Sequence, residues 1–249
     1  MPKKGPAKKK EVPVREPYSP PPPPPWPPLT PVLPAEDLTV ETVLPDQILT
    51  IPKFFTAALC KTYLNFASQS LNLTTTPGQP KRGEAVRVND RISIYDLGFA
   101  ERLWNETGLK DIVAREAGEG GGKELWGGEV LGLSPNIRVY RYSKGQFFDK
   151  HYDDTATFSI GDPQVRVQTT WTLLIYLTGT SDGVRGGETV FYTEATKHTQ
   201  SEEYAVEPEK GTALLHKHGA HCLLHEGRVV TEDAGVGKWV LRTDLIVRR

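Results

Sequence analysis

From residue 136 to the C-terminus the sequence consists of short β-type runs separated by turn residues, and this pattern limits the fold more than any other feature. The runs are rich in β-branched and aromatic residues: NIRVYRY, GQFFDKHYD, VRVQTTWTLLIYL, GGETVFY, YAVEPEKGTALLH, CLLHEGRVV and KWVLRTDLIVRR. Short strands at regular spacing, with turn chemistry between them, indicate a β-sandwich or barrel rather than βαβ units. The sequence therefore predicts a β-rich core over about residues 136–249.

The preceding segment, from about residue 37, has helical patterns. DLTVETVLPDQILTIPKFF is typical of a strand leading into a helix, and apolar residues recur at intervals of three and four between Phe54 and Ser68. A second helical pattern, DLGFAERLWNETG, ends at a glycine, whereas the glycine-rich AREAGEGGGKELWGG predicts a loop. We therefore expect an α+β class, with N-terminal helices that support the β-rich core.

Residues 1–36 are Lys-rich and then Pro-rich, ending in YSPPPPPPWPPLTPVLP. Proline has no amide hydrogen and a fixed φ angle, so this segment favours neither helix nor sheet. We expect a disordered, partly polyproline II tail over residues 1–36 and one folded domain over residues 37–249. Such a tail is a candidate ligand for an SH3, WW or profilin-type partner.

Composition excludes several classes of protein. The chain of 249 residues has a formal net charge of −1, and only its first ten residues, MPKKGPAKKK, concentrate basic charge, which disfavours nucleic acid as a partner. No apolar window is long enough to span a membrane and the start lacks the apolar stretch of a secretory signal, so we expect a cytoplasmic or nuclear protein. Cys60 and Cys222 lie far apart and indicate neither a disulfide framework nor a thiolate zinc site.

His151 and Asp153 lie two positions apart in GQFFDKHYD. In an extended strand such residues project from the same face, so an imidazole nitrogen and a carboxylate oxygen can reach one metal ion. A polar turn that closes the strand explains the same pair. A third ligand would come from a later histidine, and strand parity does not separate His221 from His225.

The surrounding blocks carry a family resemblance. RVYRYSKGQFFDKHYD, TLLIYLTGTSDGVRGGETVFY, KGTALLH, LLHEGRVV and GKWVLRTDL resemble, in sequence and order, the catalytic domain of prolyl 4-hydroxylases, which are Fe(II)- and 2-oxoglutarate-dependent oxygenases. The resemblance covers about residues 136–249, with weaker likeness back to residue 40. It implies a double-stranded β-helix (jelly roll, cupin-like) core that hydroxylates a C–H bond, with a prolyl residue of a peptide or protein as the leading substrate. It also implies Fe(II), 2-oxoglutarate as co-substrate and L-ascorbate as reductant.

The same resemblance assigns the metal ligands. A facial triad of two imidazoles and one carboxylate leaves three positions open on Fe(II). His151 and Asp153 match the first two ligands, and LLHEGRVV favours His225 over His221 as the third. We expect His198, His216 and His218 to be structural. A zinc cluster of His216, His218, His221 and Cys222 is disfavoured, because ligands crowded into so short a segment do not easily close a tetrahedron.

The co-substrate requires a buried cation for its distal carboxylate. The resemblance places this cation at Lys238, but the interval from His225 is longer than the family usually shows, so Arg242 on the same strand face stays an alternative. Tyr176 and Tyr142 match positions that line the co-substrate cavity, although a core aromatic role explains them equally. We expect the glycines of GGETVF to be structural.

Two other functions compete with this prediction. The β-domain is catalytically silent in the first, and the protein acts through its polyproline tail. In the second, the protein is a nucleic-acid demethylase of the same superfamily. The charged stretch RVNDRISIYD, residues 87–96, is expected to be a solvated loop, with a border of the substrate groove as the alternative.

Overall fold

The computed structural model describes residues 22–76, 78–80, 83–118, 123–195, 197 and 199–249, and within them the chain is mostly sheet with few helices. The helices are α1 (Ala57–Ser70), α2 (Leu97–Asn105), α3 (Leu109–Glu116) and α4 (Lys123–Trp126). Strands before residue 136 are β1 (Glu41–Leu44), β2 (Ile48–Ile51), β3 (Thr74–Thr75), β4 (Arg87–Val88), β5 (Asp90–Tyr95) and β6 (Val130–Leu133). Later strands are β7 (Asn136–Tyr142), β8 (Phe147–His151), β9 (Thr157–Ile160), β10 (Val165–Tyr176), β11 (Arg185–Gly186), β12 (Thr189–Tyr192), β13 (Glu203–Val206), β14 (Ala213–Lys217), β15 (Leu224–Gly227), β16 (Val230–Glu232) and β17 (Lys238–Arg248).

The strands form a major sheet, a minor sheet and a short ribbon. The major sheet has the order β1-β2-β14-β10-β17-β7-β5-β3, with β6 and β9 pairing to β17 and β10. The minor sheet has the order β13-β12-β15-β8-β4, and β11 pairs with β16. Strands that are distant in sequence lie side by side in both sheets, so the site residues of β8 and β15 become neighbours.

β17 is the centre of the major sheet, between β10 and β7. Its residues are buried from Lys238 to Val247 because both of its faces are covered. Trp239 and Leu241 belong to the apolar cluster that includes the helices, whereas Val240 belongs to a second cluster that includes Phe191 of the minor sheet. The two sheets therefore face each other across the second cluster, as two layers of a jelly roll do.

The predicted helices form where side chains cap them. Thr56 accepts a hydrogen bond from the Leu59 amide at 3.2 Å and sets the start of α1, a little later than the periodicity predicted. Asp96 caps α2 in the same way, accepting from the Phe99 amide at 2.9 Å. The glycine-rich segment contains more helix than expected, because Trp126 of α4 is buried and donates to the Val113 carbonyl at 3.0 Å.

The prediction of a disordered tail over residues 1–36 is wrong for residues 22–36. The Trp26 ring stacks on Phe99 with centroids 4.2 Å apart, and its Nε1 donates to Asp96 at 2.9 Å. The Pro27 carbonyl accepts from the Tyr63 hydroxyl at 2.9 Å, and Leu29 is buried. Proline carbonyls and apolar side chains hold this segment on α1 and α2 without any need for amide hydrogens, so the folded domain begins before residue 37. Residues 1–21 of the predicted tail lie outside the described residues.

None of the helices in the described part of the chain has the length and apolar character required to cross a membrane.

Candidate functional site

Three predicted ligands converge where β8 and β15 pair. His151 ends β8 and lies opposite His225 of β15, while Asp153 lies two residues beyond the end of β8. The Asp153 carboxylate lies 3.9 Å from His151 Nε2 through Oδ1 and 3.7 Å from His225 Nε2 through Oδ2. Two donor atoms that each lie about 2.1 Å from one ion are at most about 4.2 Å apart, so these separations suit a shared metal.

The imidazole orientations suit metal binding. His151 Nδ1 lies 2.8 Å from the Asp149 carbonyl, and His225 Nδ1 lies 3.0 Å from the Leu223 carbonyl. Because a carbonyl accepts a hydrogen bond, each Nδ1 carries a proton and each Nε2 is the ring nitrogen that points to the centre. Burial lowers the pKa of His151 to about 3, which keeps this imidazole neutral.

His225 and Asp153 form a charge pair without the metal. Burial opposes the charged imidazole, but hydrogen bonding to Asp153 raises the pKa of His225 to about 9. Burial alone would raise the pKa of Asp153, but the Arg242 guanidinium and the nearby imidazoles hold it well below its usual range. The proton on His225 supplies positive charge that a bound cation would replace, as metal sites generally require.

Neighbouring side chains fix the Asp153 carboxylate. Its Oδ2 accepts hydrogen bonds from Arg242 Nη2 at 2.7 Å and from Thr172 Oγ1 at 3.1 Å. Phe148 stacks on the His151 ring with centroids 3.5 Å apart, and Phe191 stacks on His225 at 5.5 Å. The three donors are therefore held by hydrogen bonds on one side and by apolar rings on the other.

The structure separates the two histidines that strand parity could not. His221 ends a 3₁₀ turn, Gly219–His221, and its side chain is exposed outside the convergent group. This turn interrupts the extended run on which the parity comparison depended. Within the described residues, the group with three or more metal-ligating side chains consists of His151, Asp153 and His225, so the zinc cluster around Cys222 does not form there.

The remaining histidines differ from one another. His218 is buried between Thr172 and Thr169, with 2.9 Å contacts from its two ring nitrogens, which is a structural role as expected. The expectation is incomplete for His216, which lines the cavity beside the metal centre with Nε2 3.9 Å from Asp153 Oδ2. Strand alternation was the available sequence signal: His216 lies two residues after Leu214 on β14, so both side chains project from the same face, towards the minor sheet. His198 lies outside the described residues.

A narrow cavity leads from the three donors to Lys238. The lysine is buried, its Nζ donates to the Gly187 carbonyl, and it lies 5.4 Å from the ring centroids of Tyr142 and Tyr176. Burial lowers the pKa of Lys238 to about 8. Gly187 has φ +73°, and a Cβ there would lie 3.1 Å from Lys238 Cδ, so this glycine leaves room for the lysine stem.

The two predicted tyrosines have different positions. Tyr142 lines the narrow cavity, but Tyr176 does not: its buried hydroxyl lies 2.7 Å from Thr189 Oγ1, and Thr189 lines the cavity instead. The long interval between His225 and Lys238 contains β16, which pairs with β11 next to Gly187. The interval therefore packs beside Gly187, whose carbonyl accepts from Lys238, and Lys238 still lines the cavity.

A second cavity, of about 330 Å³, shares Asp153, Tyr140 and Arg242 with the narrow one. We call it the arginine cavity, because Arg87, Arg91, Arg138 and Arg242 line it. The expectation of a solvated loop over residues 87–96 is wrong, because this segment forms β4 and β5. The available sequence signal for a strand was the alternation of polar and apolar residues in RISI, which matches the alternating burial along β5.

Comparison with known proteins finds a family match within the core. Residues 137–243 match the sequence profile described as the 2OG-Fe(II) oxygenase superfamily. The predicted resemblance to Fe(II)- and 2-oxoglutarate-dependent oxygenases is thereby confirmed for this part of the chain. No curated protein matches the chain in sequence.

Solved structures give the same fold at low identity. A prolyl-4-hydroxylase from Pseudomonas putida is 17% identical, with 82% of this chain and 93% of that chain covered and a TM-score of 0.51. A Trichoplax adhaerens prolyl hydroxylase in complex with a hypoxia inducible factor peptide fragment is 14% identical, with 81% and 84% covered and a TM-score of 0.54. A Burkholderia pseudomallei oxidoreductase of the 2OG-Fe(II) oxygenase family is 15% identical, with 82% and 86% covered and a TM-score of 0.53. The described part of the chain thus has a 2OG oxygenase-like fold.

Proposed function

We propose that this protein is an Fe(II)- and 2-oxoglutarate-dependent oxygenase that hydroxylates a C–H bond of a peptide or protein, with a prolyl residue as the leading target. The observation that carries the proposal is the convergence of His151, Asp153 and His225 at one end of a cavity whose other end holds a buried lysine. The three convergent side chains would bind a metal ion, and the buried lysine would bind a carboxylate. A 2-oxo acid that chelates the metal requires both.

The donor set fits Fe(II). It combines one carboxylate oxygen with two imidazole nitrogens and contains no thiolate, since the Cys222 Sγ lies 3.7 Å from the Nδ1 side of His225, away from the centre. Borderline nitrogen and hard oxygen donors in a three-residue set are typical of non-haem Fe(II) oxygenases. When bound, Fe(II) and 2-oxoglutarate supply the oxidising chemistry, which consumes dioxygen and releases succinate and carbon dioxide.

The protein's own residues bind and orient in this proposal. Lys238 pairs with the distal carboxylate of 2-oxoglutarate, in a cavity lined by Tyr142 and Thr189. Arg242 is committed to Asp153 at 2.7 Å, so it orients a metal ligand and is the weaker candidate for the co-substrate. The apolar rings of Phe148 and Phe191 keep water from the imidazoles.

A peptide substrate is supported by the Trichoplax prolyl hydroxylase, which was solved with a peptide fragment. Use of L-ascorbate, a cytoplasmic or nuclear location, and an SH3, WW or profilin-type partner for the proline run all stay predictions.

The test is succinate formation by protein that is purified without oxygen and then supplied with Fe(II), 2-oxoglutarate and air. A peptide library that contains prolyl and non-prolyl members is added, and mass spectrometry detects any added oxygen. We expect succinate to form in wild type and one oxygen to be added to a prolyl peptide. Absence of succinate under all conditions would support the catalytically silent alternative. Oxidation of non-prolyl peptides alone would retain the oxygenase and reject the prolyl target.

A further inference from the structure

The arginine cavity lies beside the metal centre and has more positive than negative charge. Four arginines and two aspartates line it, and one of the aspartates is the candidate metal ligand Asp153. β4 supplies Arg87, β5 supplies Arg91, and the neighbouring strands β7 and β17 supply Arg138 and Arg242, which lie directly opposite each other. The strand arrangement therefore concentrates guanidinium groups from both sheets around one cavity.

Two of these arginines are neutralised by carboxylates. Arg138 Nη2 lies 3.3 Å from Asp244 Oδ2, and Arg242 Nη2 lies 2.7 Å from Asp153 Oδ2. Arg138 and Arg242 therefore each have a structural role as the partner of a carboxylate. The Nε of Arg242 is nevertheless buried without a hydrogen-bond partner, on a side chain that is only 8% exposed and lines both cavities.

The other two arginines have no ion pair within the described residues. The Arg87 guanidinium lies over the Phe148 ring, with Cζ 3.6 Å from the centroid, and Phe148 in turn stacks on His151. Burial, with Arg91 and Arg242 nearby, lowers the pKa of Arg87. Arg91 is exposed on the cavity side of β5, opposite Tyr140. The second aspartate of the cavity, Asp154, forms no ion pair with Arg87 or Arg91 in the part of the chain that the structure describes, so an anionic ligand would offset the mutual repulsion of these like charges.

We propose that the arginine cavity binds an oxyanion group of the primary substrate, so that the residue to be oxidised lies next to an acidic or phosphorylated residue of a peptide. This inference rests on the proposed function and names the substrate class for the same centre. Guanidinium groups bind carboxylate and phosphate in bidentate fashion, which gives both affinity and orientation. Because Asp153 and Arg242 belong to both cavities, an anion bound here fixes the neighbouring part of the substrate beside the metal.

Two other ligands fit the cavity less well. The co-substrate already has a buried cation, Lys238, at the end of the narrow cavity. A polynucleotide requires basic charge along an extended surface, whereas here the arginines surround one cavity of about 330 Å³ in a chain of net charge −1. An acidic peptide requires only the single anion subsite that is present.

The experiment compares three capped peptides that differ at one position beside a central proline: aspartate, phosphoserine or asparagine. Their dissociation constants are measured by fluorescence anisotropy on the full chain with Fe(II) and 2-oxoglutarate, without oxygen. We expect the aspartate or the phosphoserine peptide to bind at least about tenfold more tightly than the asparagine peptide, and the stronger of the two identifies the oxyanion. Arg91→Gln should remove most of this preference, while Arg166→Gln, an exposed arginine that lines neither cavity, should retain it.

Several outcomes would overturn the inference. Equal dissociation constants for all three peptides would show that the cavity does not bind the anion. Equal effects of Arg91→Gln and Arg166→Gln on these constants would show the same. A rise in the 2-oxoglutarate KM of Arg91→Gln would show that the arginines bind the co-substrate instead. A single-stranded oligonucleotide that displaces the acidic peptides at lower concentration would favour a nucleic-acid substrate. Succinate formation without peptide, measured in parallel, separates these outcomes from failure of the proposed function.

Discussion

The two cavities meet at Arg242 and Asp153 but differ in how they hold positive charge. The narrow cavity has one buried lysine among aromatic, aliphatic and candidate metal-ligating side chains, whereas the arginine cavity, of about 330 Å³, is lined by four arginines. One β-strand, β17, supplies Lys238 to the first and Arg242 to both, since residues four apart in a strand share a face. A single buried cation suits one ligand of fixed length, while a cluster of arginines around a larger cavity suits a larger substrate that carries an anion.

Loss of a metal ligand should have the largest effect, because both cavities depend on the centre between them. We expect His225→Ala to reduce Fe(II)-dependent succinate formation by more than about 100-fold, since even residues that only orient metal ligands cost up to about that factor. His221→Ala, in the neighbouring exposed turn, is the matched control and should retain activity. Iron content of the purified variants is measured beside activity. If His225→Ala retained activity and His221→Ala lost it, His221 would be the third ligand in place of His225.

Removal of the buried lysine should weaken binding in the narrow cavity and leave binding in the arginine cavity unchanged. We expect Lys238→Ala to raise the KM for 2-oxoglutarate by at least about 30-fold, because truncating one partner of a buried charge pair costs about 2 kcal/mol or more. Affinity for peptide should change little. The exposed Lys144→Ala serves as the control, and initial rates at varied 2-oxoglutarate provide the measurement. An unchanged KM would assign the co-substrate to the arginines.

Binding of 2-oxoglutarate in the narrow cavity should depend on pH through the protonation of Lys238. The pKa of Lys238 is lowered to about 8 by burial, so the lysine is charged below that pH and loses its proton above it. The value of kcat/KM for 2-oxoglutarate should therefore fall about tenfold between pH 7 and pH 9, as the charged form that binds the carboxylate disappears. Lys238→Arg, which stays protonated, should abolish this fall. If wild type and Lys238→Arg had the same pH profile, Lys238 would not be the group responsible for the fall.

The smallest effect is expected at His216, which contacts the centre without belonging to the convergent donors. His216→Phe keeps a planar ring between Phe191 and the cavity, so we expect less than about a tenfold change in iron affinity, at or below the lower bound for residues that orient metal ligands. Equilibrium binding of Fe(II) without oxygen tests this expectation. A loss as large as that of His225→Ala would show that the centre uses four protein side chains.

Much of the site could be predicted from the sequence, because local patterns decide it. The two-residue spacing of His151 and Asp153 places both at the end of one strand, and the order of blocks around them resembled a known family. The β-rich texture after residue 136 predicted the sheets. In contrast, the packing of residues 22–36 was missed, since a proline run lacks the periodicity that signals burial, and only the contacts of Trp26 reveal it.

The sequence by itself determined which side chains were available to bind a metal and an acid, and the strand-rich character of the chain after residue 136. Tertiary structure placed His225, and not His221, beside His151 and Asp153, because His221 lies in a 3₁₀ turn that interrupts the extended run. It also placed His216 beside the centre and collected arginines from four strands around one cavity. The physical reason is that antiparallel pairing joins residues far apart in sequence, and no local pattern specifies which strands become neighbours.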